Sequence, residues 1–196
     1  DMFIGPNSYD EGVVAADWAN ENIGDGECAI IMGLAGTDVV KNRTNGFTER
    51  LEELGSKIKV VDSQNADWDR NTAKDVAATI LKTYPDLKII CCNNDVMAMG
   101  ALEAVKESGK TLNKDVYVIG MDGTDEAYES IRANELSATV SMYPLYESQM
   151  ATECAVRILL GQEMPSVIWT PAMVTDATNV DADEADTIGW TDPTFE

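Results

Sequence analysis

A doubly wound α/β fold, in which a parallel sheet carries helices on both faces, is the architecture this sequence predicts. Three observations lead to it. Strand-like and helix-like segments alternate almost without interruption up to Met142, and such alternation builds parallel sheets through right-handed crossovers. Three apolar runs end in polar clusters that each open a helix-like segment. They are Ile58-Lys59-Val60-Val61-Asp62-Ser63-Gln64 into Ala66-Asp67-Trp68-Asp69-Arg70, Ile89-Ile90-Cys91-Cys92 into Asn93-Asn94-Asp95, and Val116-Tyr117-Val118-Ile119-Gly120 into Met121-Asp122-Gly123. Finally, 196 residues with 44% hydrophobic content suffice for a substantial core. In an open parallel sheet the carboxyl ends of the strands share one edge, where ligands bind, so the three clusters point to a binding site.

The elements follow in order. Met2–Gly5 is the first strand candidate and Tyr9–Asn20 the first helix. Cys28–Gly33 is a strand that ends in the turn Gly33-Leu34-Ala35-Gly36-Thr37. Thr37–Leu54 is helical because Val40, Phe47, Leu51 and Leu54 recur at multiples of three and four, and Gly55 stops it. Ile58–Ser63 is the next strand. Asp69–Tyr84 is a helix capped by Asp69 and broken by Pro85. Lys88–Cys92 is a strand, followed by the helix Asp95–Ser108, capped by Asp95 and ended by Gly109. Asp115–Met121, Asp125–Ala133 and Ser137–Met142 complete the alternation. The pattern then changes. Pro144–Leu160 reads as one helix with Met150, Cys154 and Ile158 on one stripe and Ala151, Ala155 and Leu159 beside it. Pro171-Ala172-Met173-Val174 is a last short strand, and residues 181–196 read as an acidic surface tail.

Composition removes several function classes. With 35 acidic against 14 basic residues the net charge is −21, which repels phosphate backbones and argues against nucleic-acid binding. There is no histidine, so Ser-His and Cys-His nucleophile pairs and histidine metal sites are excluded. The cysteines Cys28, Cys91, Cys92 and Cys154 show no Cys-x-x-Cys spacing, and adjacent Cys91 and Cys92 point to opposite faces of a strand, so buried free thiols are expected. No apolar run approaches the roughly 18 residues of a membrane span. Asp181, Asp183 and Asp186 resemble a calcium loop faintly, but Ala185 stands at the fifth position and no glycine fills the sixth, so a solvated tail is the expectation. The Gly33–Thr37 turn lacks the lysine of a P-loop and the third glycine of a dinucleotide fingerprint. Trp68, flanked by Asp67 and Asp69 just past a strand end, has two readings. It is a stacking surface for the C–H face of a sugar, or a core residue.

Taken together, several motifs resemble the ribose/allose branch of the periplasmic sugar-binding proteins. They are Gly33–Thr37 with Arg43-Thr44-Asn45-Gly46-Phe47, Ser63-Gln64-Asn65-Ala66-Asp67-Trp68-Asp69-Arg70, Asn94-Asp95-Val96-Met97-Ala98-Met99-Gly100-Ala101, Gly120-Met121-Asp122-Gly123 and Leu136-Ser137-Ala138-Thr139-Val140. The likeness runs from about Asn7 to Val180. It implies two α/β lobes joined by three crossing segments, with a sugar held between them and no cofactor. It also implies that Arg43 forks hydrogen bonds to ring oxygen or hydroxyls, that Trp68 stacks on the sugar, and that Asn94 and Asp122 bond its hydroxyls. Where the family motif supplies a hinge glutamine this chain has Met142, a weak hydrogen-bonding group, which alters one contact. The chain then corresponds mainly to the C-terminal lobe. Residues 1–141 form that lobe, 142–170 the hinge crossing and a helix that packs on the N-terminal lobe, and 171–180 the return strand.

An N-terminal lobe is absent on this reading, as in a domain of a longer chain, a proteolytic fragment or one part of a larger assembly. The helix Pro144–Leu160 then exposes an apolar stripe that drives self-association. The function implied is that of an exported solute-binding component, periplasmic or lipid-anchored on the outer face, working with ABC transporter membrane subunits. Nothing is turned over chemically. The effector-sensing domain of a lactose-repressor-type regulator shares the fold and is the alternative.

Overall fold

In the computed structural model, which describes residues 2–182, eight strands and six helices follow in chain order. They are β1 (Phe3–Pro6), α1 (Ser8–Asn22), β2 (Asp25–Met32), α2 (Asp38–Glu53), β3 (Lys57–Asn65), α3 (Arg70–Thr83), β4 (Leu87–Cys92) and α4 (Asp95–Glu107). Then come β5 (Tyr117–Asp122), α5 (Asp125–Arg132), β6 (Ala138–Ser141), α6 (Pro144–Leu159), β7 (Val167–Thr170) and β8 (Met173–Asp176). The main sheet has the order β3-β2-β4-β5-β6-β8. Its first five strands are parallel, and β8 closes the edge antiparallel to β6.

Strand alternation divides the core into two layers, one on each face. Ala29, Ile31, Ile90 and Cys92 pack under α3, α4 and α5. Their neighbours Cys28, Ile30, Ile89 and Cys91 pack under α1 and α2 with Phe47 and Leu51. A sheet buried on both faces needs apolar residues at every position, which is why these strands read as continuous apolar runs. Cys91 and Cys92 therefore lie in different layers, and all four cysteines are free and buried. The helix stops also lie where the glycines predict them. Gly55 and Gly109 take left-handed φ of 59° and 79°, and Ser56 N–H reaches back to Leu51 O.

Three features depart from expectation. β7 is not among the sequence-read strands, because its four residues lie between Pro165 and Pro171 and read as a connection. β1, counted by sequence within the 1–141 lobe, pairs with β7 in a separate two-stranded parallel ribbon. The last strand starts at Met173 rather than Pro171, since proline has no N–H for a ladder. α6 leans on this ribbon, where Thr170 Oγ1 donates to Glu147 at 2.9 Å. Cys154 is its one buried residue, while Ile158, Leu159 and Leu160 stand exposed. No helix among the described residues is long and apolar enough to cross a membrane. The calcium-loop residues Asp183 and Asp186, and the tail from 183 onward, lie outside the described residues. Asp181 accepts a bond from Arg132 at 2.8 Å.

Candidate functional site

Because β2 to β6 run in one direction, the loops that leave them lie side by side. Met32 stands beside Asn65, Ile31 beside Cys92 and Asp122 beside Ser141. Bonds between neighbouring loops fix that edge. Ala66 N–H donates to Met32 O at 2.7 Å, Asn93 N–H to Ile31 O at 2.9 Å, Asn65 Nδ2 to Gly33 O at 2.6 Å and Met142 N–H to Asp122 O at 3.2 Å.

Arg43 is the hub. Its side chain is buried, at 6% exposure. Nε donates to Glu11 Oε2 at 2.6 Å, Nη1 donates to the Asn93 carbonyl and lies 3.1 Å from Asp122 Oδ1, and Nη2 reaches Met142 Sδ at 3.7 Å. Burial works against the guanidinium charge, but Glu11 and Asp122 override it and hold the pKa above the ordinary arginine value. Of the residues named from sequence, the structure gathers Arg43, Asp122 and Met142 around one guanidinium.

Asp122 ends β5 with φ of 125°, a conformation that a residue with a side chain rarely adopts. Its carboxyl is pushed up to about 6 by burial, with the Asp95 and Glu11 carboxylates adding to the rise and Arg43 opposing it. Asp95 corrects one sequence expectation. It does not cap α4; the helix starts at Asp95 as expected, but the cap is the residue before it, where Asn94 Oδ1 takes the Met97 N–H at 2.9 Å. Asp95, in the first turn, instead accepts from Thr139 Oγ1 at 2.7 Å and from Thr124 N–H at 2.8 Å. It thereby ties the loop after β5 to β6, and burial raises its pKa against those hydrogen bonds. Asp69 does cap α3, accepting from Thr72 N–H at 2.8 Å.

Asn94, whose Oδ1 serves the α4 cap, follows β4, the neighbour of the strand that Asp122 ends. Trp68 sits on the outer loop, half-buried, with Asp67 and Trp68 both left-handed at φ 51° and 66°. Its six-membered ring lies on Gly33, where a Cβ would stand 2.3 Å from the indole carbons, and its rim touches the α3/α4 core layer. Both sequence readings of Trp68 therefore have a physical basis: the indole packs on the chain and stays partly open at the binding edge.

Two residues of the cluster are not among those the sequence singles out as a site. Glu11 is fully buried on α1, and Asn93, at 1% exposure, accepts from Gly33 N–H and Thr44 Oγ1 through its Oδ1. Glu11 carries a legible signal. It falls four and eight residues before Ala15 and Ala19, on the buried stripe of α1, where an unpaired carboxylate is costly. Among the described residues, no group of three or more cysteine or carboxylate side chains is placed to hold a metal ion. The Arg43 cluster offers forked donors and carboxylate acceptors, and Trp68 offers an indole face on another loop of the same edge, a set of groups that suits a polyhydroxylated ligand.

The Periplasmic binding protein domain family matches residues 1–163. A ribose import binding protein of Bacillus subtilis (strain 168) is 34% identical over 172 residues, covering 87% of this chain and 54% of that protein. The D-allose-binding periplasmic protein of Escherichia coli (strain K12) is 41% identical over 146 residues, covering 74% of this chain and 46% of that protein. The chain thus spans about half the length of the curated relatives it matches. Among solved structures, an ABC transporter periplasmic solute binding protein from Actinobacillus succinogenes 130z with bound D-allose superposes with a TM-score of 0.85. The identity is 32%, with 91% of this chain and 63% of that one covered.

Proposed function

The chain belongs to the periplasmic binding protein domain family, and from that premise we propose that it binds a monosaccharide or related polyol for an ABC sugar importer, without chemical turnover. The observation that carries this reading is the Arg43–Asp122 pair at the carboxyl edge of the sheet, a buried guanidinium 3.1 Å from a partly exposed carboxylate, with Trp68 on the loop after β3 at the same edge. Arg43 forks donors to ring oxygen or hydroxyls, Asp122 and Asn94 bond hydroxyls, and Trp68 stacks on a C–H face. Met142 presents a thioether beside Arg43 and makes that part of the site less polar. A site built to pair hydroxyls discriminates by leaving its own buried polar groups unpaired with the wrong ligand.

The six-stranded sheet is then the C-terminal lobe. β1, β7 and α6 belong with an N-terminal lobe, which supplies the other wall of the site, and the chain crosses between the two after β1, after β6 and after β7. The relatives span about twice this chain, which supports that division. Sugar closes the two lobes, and membrane subunits of the importer read the closed form. An exported location follows from the same reading. The relatives named above are import and binding proteins, which favours transport over the regulator alternative.

Isothermal titration with a panel of pentoses, hexoses and polyols, on this chain together with its upstream half, tests the reading. The expected result is saturable binding of a subset of sugars that Arg43→Ala and Trp68→Ala each abolish. Binding unchanged in both variants would remove the proposed site.

A further inference from the structure

Glu11 is a fully buried carboxylate to which the sugar contacts above assign no role. Its place is set by backbone rather than by flexible side chains. α1 and α2 cross in direct contact: a Cβ at Gly12 would stand 2.2 Å from the Arg43 carbonyl oxygen, and one at Gly46 2.0 Å from the Tyr9 carbonyl oxygen. Glu11 is adjacent to the first of these contacts, and Arg43 supplies the backbone of the same contact. The 2.6 Å pair between them is therefore built into the helix crossing.

The form of the pair is informative. A buried carboxylate that serves stability alone gains most by forking both oxygens onto a guanidinium. Glu11 does not. Oε2 takes Nε, and Oε1 has no hydrogen-bond partner among the described residues. Among the described residues, the Nη2 group of Arg43 donates to the thioether of Met142, a weak acceptor. Close by, the buried Nδ2 of Asn93 also lacks a partner among the described residues. Incomplete pairing of buried polar groups is rare in folded proteins and calls for an explanation.

We propose that Glu11 is a positioning residue of the sugar site: it holds Arg43 through Nε so that the Nη edge faces the ligand beside Asp122. This assignment rests on the sugar-site reading above. Without Glu11, Asp122 at 3.1 Å from Nη1 is the nearest remaining carboxylate, and the guanidinium swings to fork onto it. That swing ties up the two groups the sugar uses.

The test is Glu11→Gln, which keeps the shape and removes the charge, set against Asp17→Asn. Asp17 also joins α1 to α2, through Arg50 at 2.7 Å, but lies outside the site. Affinity for the sugars that bind is measured by calorimetry on the chain with its upstream half. In parallel, arginine-labelled protein is followed by NMR through the Arg43 Nε–H and Nη signals. Glu11→Gln is expected to weaken binding about tenfold or more. It should also shift the Arg43 Nε–H signal in the absence of sugar, while Asp17→Asn leaves both unchanged. Equal affinity in Glu11→Gln and wild type would overturn the proposal and leave the sugar site standing. If Glu11→Gln does not fold, the wild-type titration decides: sugar should move the Nη signals and leave Nε–H in place, and movement of Nε–H to the same extent overturns the positioning role. If no sugar moves any Arg43 signal in wild type, the sugar-site reading fails and the proposal fails with it.

Discussion

Asp122 shows how a single residue at this edge can carry a cost to folding that the proposed sugar site would explain. Its carboxyl rises from an ordinary 3.8 to about 6, chiefly through burial, with Asp95 and Glu11 facing it and Arg43 opposing. A raised carboxyl pKa means the fold favours the protonated form. The associated stability is whole below about pH 4 and is lost as pH rises through about 6. Urea unfolding should therefore show Asp122→Asn more stable than wild type above pH 7, by on the order of 1–3 kcal/mol, with the gap closing near pH 4. A gap that is constant with pH would refute this. Gly33 is constrained from the other side: Gly33→Ala drives a methyl into the Trp68 indole, so it should cost about 1–3 kcal/mol and abolish the sugar response. Arg43, Asp122 and Met142 were named through the family resemblance; Asp122 and Met142 stand at strand ends, whereas Arg43 lies inside α2 and only its motif marks it. The burial of Glu11 is legible in the spacing of α1, but its pairing is not, because its partner lies 32 residues away, on a helix whose crossing sequence periodicity does not reveal.

At the scale of elements, α1 and α2 form the scaffold on which Arg43 is held, and their contact depends on Gly12 and Gly46. Gly12→Ala forces the helix backbones apart and should destabilise the chain by about 3 kcal/mol in chemical unfolding. Asp69→Ala removes only the α3 cap and should cost about 1 kcal/mol. A larger loss from the cap than from the glycine would contradict this ranking. Strands β2, β4 and β5 were readable because a sheet covered on both faces places apolar residues at nearly every position. β7 was not, because four residues between prolines carry little pattern, and their pairing with β1 joins segments more than 160 residues apart. The α4 cap was misplaced by one residue because Asn94 and Asp95 are both good capping types. Only the β6 and α5 contacts of Asp95 distinguish them.

The whole molecule carries a net charge of −21, and the segment from α6 to β7 leaves the apolar side chains of Leu145, Ile158, Leu159, Leu160 and Trp169 exposed. On the proposed reading the upstream half covers these side chains. Without it, light scattering should show mass rising with concentration, and a double change of Leu159→Glu with Leu160→Glu should suppress the rise. The most direct test of the central claim is a thermal-shift screen of pentoses, hexoses and polyols, on the chain together with its upstream half. A sugar at a hundredfold excess over its dissociation constant adds about 2.7 kcal/mol to stability. The account predicts a selective rise in melting temperature for a few sugars, abolished by Asp122→Ala. No rise with any sugar, or the same rise in Asp122→Ala, would contradict it.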